Sequence, residues 1–322
     1  VNGLNMEYKE ENIFEMKTYN IATILLNYNS EEDLFESVMQ LLVQKEINQK
    51  IIVVDNNSKK ETIEKIKNWQ KKEFPNALCG SYDYVSSKID NYETNIYFVY
   101  NDINNGYSAG NNIGIRLADR LQVDAVLIAN PDMRFNDDLY IKKLFETLNS
   151  DEKILVAGSR IVGLDGKDQS PSREARFWEE LLWFRFIFKI FFKQSSYLIS
   201  YKKNAPVIVP KIMGCCLMLK MNFLREINYL DETTFLYSEE AILSKQVLQK
   251  NGHIIFDPSI EAIHAHKASE KGNSSKRMMF FIKSRLYYLK NYSGYNFIQI
   301  TSLKISYSIL YLIHFIKAVF IK

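Results

Sequence analysis

An alternation of short apolar runs with helical stretches limits most severely how this 322-residue chain can fold. The run Ile21 to Asn29, "IATILLNYN", precedes "SEEDLFESVMQLL", in which Ser30 and Asp33 are placed as a capping box. "KIIVVDNNS" precedes the amphipathic "KKETIEKIKNWQKK", "NIYFVYN" precedes "AGNNIGIRLADRL", and "AVLIAN" precedes "DDLYIKKLFETLN". A fifth run, "ILVAGSRIV", follows, and residues 75–93 read as a polar, irregular insertion or long loop. Strands alternating with helices at this spacing predict right-handed βαβ units and a mostly parallel sheet flanked by helices, an α/β fold. Each strand closes on polar residues: Asn27 and Asn29, then Asp55, then Asn104 to Gly106, then Asp132. The carboxyl ends of strands line the ligand crevice of an open parallel sheet. Residues up to about 160 therefore read as a Rossmann-like nucleotide-binding half.

Several function classes are disfavoured. A dinucleotide oxidoreductase needs G-x-G-x-x-G straight after the first strand, where this chain has "NYNSEED". No G-x-x-x-x-G-K-[ST] occurs either, which argues against a P-loop NTPase. A net charge of +3 is too mild to argue for nucleic acid. The three cysteines lack metal-ligand spacing and are expected to be reduced thiols of a cytosolic protein. Residues 1–18 are polar, without the apolar core of a secretory signal, and are expected to be a flexible leader.

One carboxylate and a set of glycines invite a chemical reading without any name. Asp132 sits behind Pro131 at the end of "VLIANPDMRF", so proline fixes the backbone that aims it out of the strand end. One carboxylate with open positions around it suits Mg²⁺ or Mn²⁺ beside a diphosphate. The alternative is a turn or helix-capping residue. Gly106, Gly110 and Gly114, spaced four apart, permit positive φ and close backbone approach at a helix start that favours an anion.

The motifs "ILLNYN", "IIVVDNNS", "NNGYSAGNNIGI", "IANPDM", "FLYSEEAILSKQV" and "AIHAHKAS", in this order from Ile21 to Ser269, resemble glycosyltransferase family 2. They are most similar to the branch holding bacterial rhamnosyltransferases and related surface-polysaccharide enzymes. The resemblance implies a GT-A fold, a nucleotide diphosphate sugar donor, and transfer with inversion at the anomeric carbon. It implies a donor-binding set of Asn27, Asn29, Asp55, Asn105, Gly106, Gly110, Asn111 and Asn130, with Asp55 accepting from the base or ribose. "NPD" stands at the family's D-x-D-like metal motif, with Asn130 in place of the first Asp. Glu240, preceded by Glu239, stands where the family has its Asp base, one methylene longer. These two carboxylates are the catalytic candidates, and dipole-stabilising acids on a helix's first turn are their bland alternative. His264 fits the family's position for metal or diphosphate contact, and His266, two residues on, is a further candidate. The donor is expected to be dTDP-rhamnose or a UDP-sugar. A degenerate fold acting as a scaffold subunit is the competing reading, favoured by Asn130 and by Glu at position 240.

Aromatic residues cluster after residue 176. In "REARFWEELLWFRFIFKIFFKQ", Arg185, Lys189 and Lys193 repeat every four residues among Trp, Phe and Ile, as an interfacial segment would. A buried packing helix is the alternative, though three cations make burial costly. "MMFFIKSRLYYLKNY" and "LKISYSILYLIHFIKAVFIK" are apolar but punctuated by cations, too interrupted to span a bilayer. The expected organisation is a leader over 1–18 and a transferase domain over 19–275, divided at 162 into donor and acceptor halves. A membrane-associating helical extension over 276–322 follows, with packing against a partner or second copy as its alternative. The sequence thus anticipates an enzyme peripheral to the inner face of the cell membrane, acting on a glycan or lipid-linked oligosaccharide.

Overall fold

The structure, a computed structural model, describes residues 19–183, 197–202, 205–266 and 274–320. The leader over 1–18, the stripe of Arg185, Lys189 and Lys193, and the sites of Lys267 and Ser269 lie outside the described residues. The first half runs β1 (Asn20–Asn27), α1 (Glu31–Leu42), β2 (Asn48–Asn56), α2 (Lys60–Glu73), β3 (Leu78–Gly80), α3 (Tyr82–Lys88), β4 (Ile96–Asn101), α4 (Tyr107–Arg120) and β5 (Ala125–Ala129). Next come β6 (Met133–Arg134), α5 (Tyr140–Leu148), β7 (Ile154–Gly163) and α6 (Phe177–Leu181). The chain continues through β8 (Val207–Val209), β9 (Cys216–Lys220), α7 (Met221–Glu226), α8 (Glu239–Gln249) and β10 (His253–His264), then α9 (Ser274–Asn291) and α10 (Phe297–Phe320).

One sheet takes the order β3-β4-β2-β1-β5-β9-β7-β10-β6, with β8 added beside β10. Strands β3, β4, β2, β1 and β5 are parallel. β9 inserts antiparallel between β5 and β7, and β7 pairs parallel with β10. The predicted mostly parallel sheet is therefore present, and strands of the second half extend it. Alternate side chains along each strand enter opposite cores. Ile21, Leu25, Ile51 and Val53 pack on one face, and Ala22, Ile24, Ile52 and Val54 on the other. β2 and β5 flank β1 on opposite sides, which makes the carboxyl end of β1 a topological switch point.

Two local expectations fail for identifiable reasons. Residues 75–93 are not structureless: Leu78 pairs with Tyr97 at the sheet edge, and α3 buries Val85 against the second core. The capping box at Ser30 does not form, since Ser30 makes no side-chain cap bond. Asp33 instead pairs with Arg134 at 2.5 Å, and Glu36 with the same arginine at 2.7 Å.

The C-terminal helices also depart from expectation. α9 and α10 join a third core, in which Ala241 and Ile242 of α8 pack with Ile282, Tyr288, Leu289, Leu303 and Tyr307. A buried charge network ties this core to the sheet domain. Arg285 is bound on both sides, to Glu180 through Nε at 3.0 Å and to Glu174 at 2.6 Å, while Tyr307 donates to Glu180 at 2.6 Å. Lys211 reaches Glu174 at 2.5 Å. Removing one partner of a buried pair leaves the other uncompensated. Arg285→Met should therefore cost about 3–5 kcal/mol in urea unfolding, and a loss below about 1 kcal/mol would mark the network as solvent-relaxed.

Candidate active site

Pro131 and Asp132 form the corner of a turn in which Met133 N–H donates to Asn130 O at 3.1 Å. The two residues that follow form β6 and pair with the end of β10, Met133 opposite His264 and Arg134 opposite Ile263. Ala265 N–H donates to Asp132 O at 2.8 Å and locks the corner to that strand end. By this pairing, residues more than a hundred positions apart converge. His264 Nε2 lies 3.3 Å and His266 Nδ1 3.4 Å from Asp132 Oδ2. The imidazoles stack with centroids 5.6 Å apart.

These residues fit a divalent cation. Their ligand atoms all lie within 4.8 Å of one another. Asp132 Oδ1 is buried with no hydrogen-bond partner, as a carboxylate awaiting an ion would be. His264 Nδ1 sits 2.8 Å from Gln169 Oε1, and donation there leaves the Nε2 lone pair facing Asp132. Burial alone would raise the Asp132 carboxyl, but contact with His264 and His266 outweighs it and holds the group below its ordinary value. Both histidines are thus placed at the carboxylate, His266 as fully as His264.

Two clefts meet at this point. The first, about 420 Å³, is lined by Tyr28, Asn56, Asn104, Gly106, Asn130 and Asp132 on the sheet side, and by Phe235 and α9 opposite. The second, about 650 Å³, holds Glu239, Glu240 and His264, with Trp183, Tyr197, Phe281 and Tyr307 among its walls. Tyr107 and Asn130 line both clefts. The Tyr107 hydroxyl lies 3.1 Å from Asn130 Oδ1 and donates to Gly214 O at 2.8 Å. Gly106 must be glycine here. Its φ is +105°, and a Cβ would stand 2.3 Å from Phe235 O.

Of the expected donor-binding set, Gly106 and Asn130 reach the first cleft. Asn27 and Asp55 lie one layer beneath it, almost wholly buried. Asn27 Nδ2 donates to Asp55 Oδ2 at 2.8 Å, and Ser58 N–H donates to Asp55 Oδ1 at 3.0 Å. Each Asp55 oxygen thus accepts one internal bond, and Asp55 does not itself line the first cleft. Asn29 Oδ1 accepts from Lys59 N–H at 2.8 Å, just ahead of α2. Gly110 is packed against the sheet, where a Cβ would meet Leu26 at 2.6 Å, and Asn111 is buried with Nδ2 on Tyr107 O. Asn105 is exposed and does not line the cleft, whereas its neighbour Asn104 does, accepting from Gly106 N–H at 3.0 Å. Tyr107, Gln169 and Gly214 were not anticipated as site residues. Only Tyr107 carried a signal, lying inside the glycine-spaced stretch.

Glu239 and Glu240 open α8 behind Tyr237 and Ser238, two consecutive non-glycine residues with φ of 75° and 69°. Such backbone strain is held only where surrounding contacts over-determine it, and it clusters at functional sites. Glu240 Oε1 accepts from Gly214 N–H at 3.1 Å. Glu239 Oε1 is buried and unpartnered. Burial first, and then the charge of Glu240, push the Glu239 carboxyl up to about 8.

The site thus places a carboxylate–imidazole cluster beyond the carboxyl end of β5 and a pair of carboxylates in the adjoining cleft. Residues 23–227 match the family described as glycosyl transferase family 2, and the chain belongs to it. It is 26% identical over 249 residues to the low-salt glycan biosynthesis hexosyltransferase Agl10 of Haloferax volcanii, covering 76% of this chain and 66% of that relative, just under two thirds. The fold is similar to that of GalNAc-T7 solved with UDP, GalNAc and Mn²⁺, with TM-score 0.58 and 14% identity, over 90% of this chain and 51% of that one. It is also similar to the mannosyltransferase PcManGT of Pyrobaculum calidifontis, solved with GDP-Man and Mn²⁺, with TM-score 0.54 and 12% identity, over 89% and 68% of the two chains. The expected GT-A fold is borne out.

Glu239 makes stability depend on pH in a direction opposite to an ordinary salt-bridged carboxylate. Between its ordinary value of 4.5 and about 8, the folded chain holds a proton that the unfolded chain has released. Stability from this group is complete below the unfolded value and falls as pH rises toward 8. Urea midpoints of the wild type should therefore drop across that window more steeply than those of Glu239→Gln. Parallel curves would refute a protonated Glu239.

Proposed function

We propose that this protein is an inverting hexosyltransferase that moves a sugar from a nucleotide diphosphate sugar to a glycan acceptor. The observation that carries this reading is the placement of Asp132, His264 and His266 where the two clefts join, with Glu239 and Glu240 in the second. The first cleft suits the donor and the second the acceptor. The Haloferax relative, named for low-salt glycan biosynthesis, supports a hexosyl donor and a glycan product. The donor is dTDP-rhamnose or a UDP-sugar, and the acceptor a lipid-linked oligosaccharide of a surface polysaccharide such as capsule or O-antigen.

Asp132, His264 and His266 would hold a divalent ion, which when bound neutralises charge on the donor diphosphate. Two imidazoles in the ligand set favour Mn²⁺ over the oxygen-preferring Mg²⁺. Glu240 is the general base. Gly214 N–H fixes one carboxylate oxygen and thereby orients the other toward the acceptor. The acceptor oxygen bonds to the anomeric carbon as the sugar–phosphate bond breaks, its electron pair staying on phosphate and the hydroxyl proton passing to Glu240. Glu239, kept protonated beside it, limits like-charge repulsion in the pair. Tyr107 bridges donor and acceptor sides through Asn130 and Gly214.

Membrane contact is assigned to α10. No helix among the described residues is long and apolar enough to cross a bilayer. Yet Ile298, Ile305, Ile309, Leu312 and Ile316 are exposed along one helical face, with Phe297 and Phe315 beside them. This stripe is separate from Leu303 and Tyr307, which are buried in the third core.

Two measurements check the proposal. In a transfer assay with Mn²⁺ and a panel of nucleotide sugars, Glu240→Gln and Asp132→Asn should each lower turnover by about a hundredfold or more, and EDTA should abolish it in the wild type. Donor binding without turnover by the wild type would favour the scaffold reading. Separately, I305N/I309N/L312N/I316N should remain folded yet stop co-sedimenting with anionic vesicles. Unchanged sedimentation would remove α10 as the membrane contact.

A further inference from the structure

The wall of the first cleft opposite the sheet is built by α9, and it carries charge that the proposed mechanism does not use. Among the described residues the charged groups lining this cleft are Asp132, Lys276 and Arg277. Arg277 Nε is buried with no hydrogen-bond partner, and no described carboxylate pairs with its guanidinium. The other enclosed arginines differ. Arg134 is paired with Asp33, Arg173 with Glu179, and Arg285 with Glu174 and Glu180. Arg277 is half-buried, with its Nε closed off from water and given no acceptor, so an anion that enters this cleft would meet a donor with nothing else to bond.

The position of Arg277 is set by the cleft itself. One turn further along α9, Phe280 stacks on Phe235 with centroids 4.4 Å apart. Ser284 Oγ donates to Leu236 O at 2.7 Å. Phe235 O in turn accepts from Tyr107 N–H at 2.8 Å, and its backbone is the group that excludes a side chain at Gly106. The helix is thereby registered against the β4–α4 turn, and Arg277 faces the crevice that Asp132 enters from the sheet.

We propose that Arg277 binds the diphosphate of the nucleotide-sugar donor. This rests on the function proposed above. The planar guanidinium matches phosphate oxygens with paired N–H donors, which an ammonium cannot do. Arg277 lines the same cleft as the Asp132 carboxylate and adds a cation beside it, which suits a diphosphate rather than a neutral ligand. Cleavage of the sugar–phosphate bond adds one negative charge to the departing nucleoside diphosphate, so Arg277 favours the departing group over the intact donor. The residue lines the donor cleft and not the second cleft, which separates this role from recognition of a phosphate on the acceptor.

Calorimetric titration in Mn²⁺ of full-length wild type, Arg277→Gln and Arg277→Lys tests the assignment, using nucleoside diphosphates and matching monophosphates of uridine, thymidine and guanosine. The diphosphate that the wild type binds should lose about tenfold or more in affinity with Arg277→Gln. The matching monophosphate should be unchanged, and Arg277→Lys should recover part of the loss. Equal diphosphate affinity in wild type and Arg277→Gln would overturn the inference while leaving the proposed function standing. An equal loss for mono- and diphosphate would assign Arg277 a merely structural role and overturn it too. A wild type that binds none of these nucleotides would overturn the proposed function, and this inference with it.

Discussion

The pairing of Met133 and Arg134 with Ile263 and His264 is the contact on which the site depends. Strand β6 is too short to be stable alone, and its ladder is held from three directions. The Asn130–Met133 turn feeds it, Ala265 N–H anchors the Asp132 carbonyl, and Arg134 is clamped by Asp33 and Glu36 of α1. Through this small ladder β10, which belongs to the second half of the chain, delivers both imidazoles to a carboxylate at the end of β5. The proline at position 131 thus serves the turn and the carboxylate at once. Turn residue and candidate metal ligand, alternatives in the sequence, are compatible in the fold.

The second half of the chain is less an appended domain than the missing wall of the first. β9 inserts between β5 and β7, so the sheet runs unbroken from the first half of the chain to the second. Helices α9 and α10 close over it, held by the third core and by Arg285 between two glutamates. The same helices supply Arg277 and Phe280 to one cleft and Phe281, Arg285 and Tyr307 to the other. Packing and site-building are therefore coupled. A change that loosens α9 affects stability and both clefts together.

The strand–helix alternation was legible because burial on both faces of a parallel sheet demands continuous apolar runs, and those runs are local in sequence. The pair Asp132 and His264 was legible for a similar reason, each lying at a strand end beside residues of distinctive type. Other expectations failed where a distant partner decided. Ser30 and Asp33 satisfy the local capping pattern, but a buried arginine a hundred residues away claims Asp33. Asp55 ends its strand at the expected level, but Asn27 and the Ser58 amide, which each donate to one of its oxygens, hold it beneath the cleft. Gly110 has the spacing of a phosphate loop and the job of letting α4 lie close to Leu26. Apolar residues of α9, read as membrane-seeking, are buried against α8 because hydrophobicity specifies burial without specifying the cover.

Sequence alone determined the α/β class, the order of strands and helices through β5 apart from β3 and α3, the carboxylate behind Pro131 and the acidic pair at the start of α8. Each of these depends on side-chain periodicity or on neighbours a few residues apart. Tertiary structure alone decided that His266 shares the site equally with His264, and that Gln169 orients the latter. It also decided that Tyr107 joins the two clefts and that Arg277 lines the first cleft with no paired carboxylate among the described residues. These are relations between groups far apart in the chain, fixed by strand register and helix packing, which no local pattern encodes.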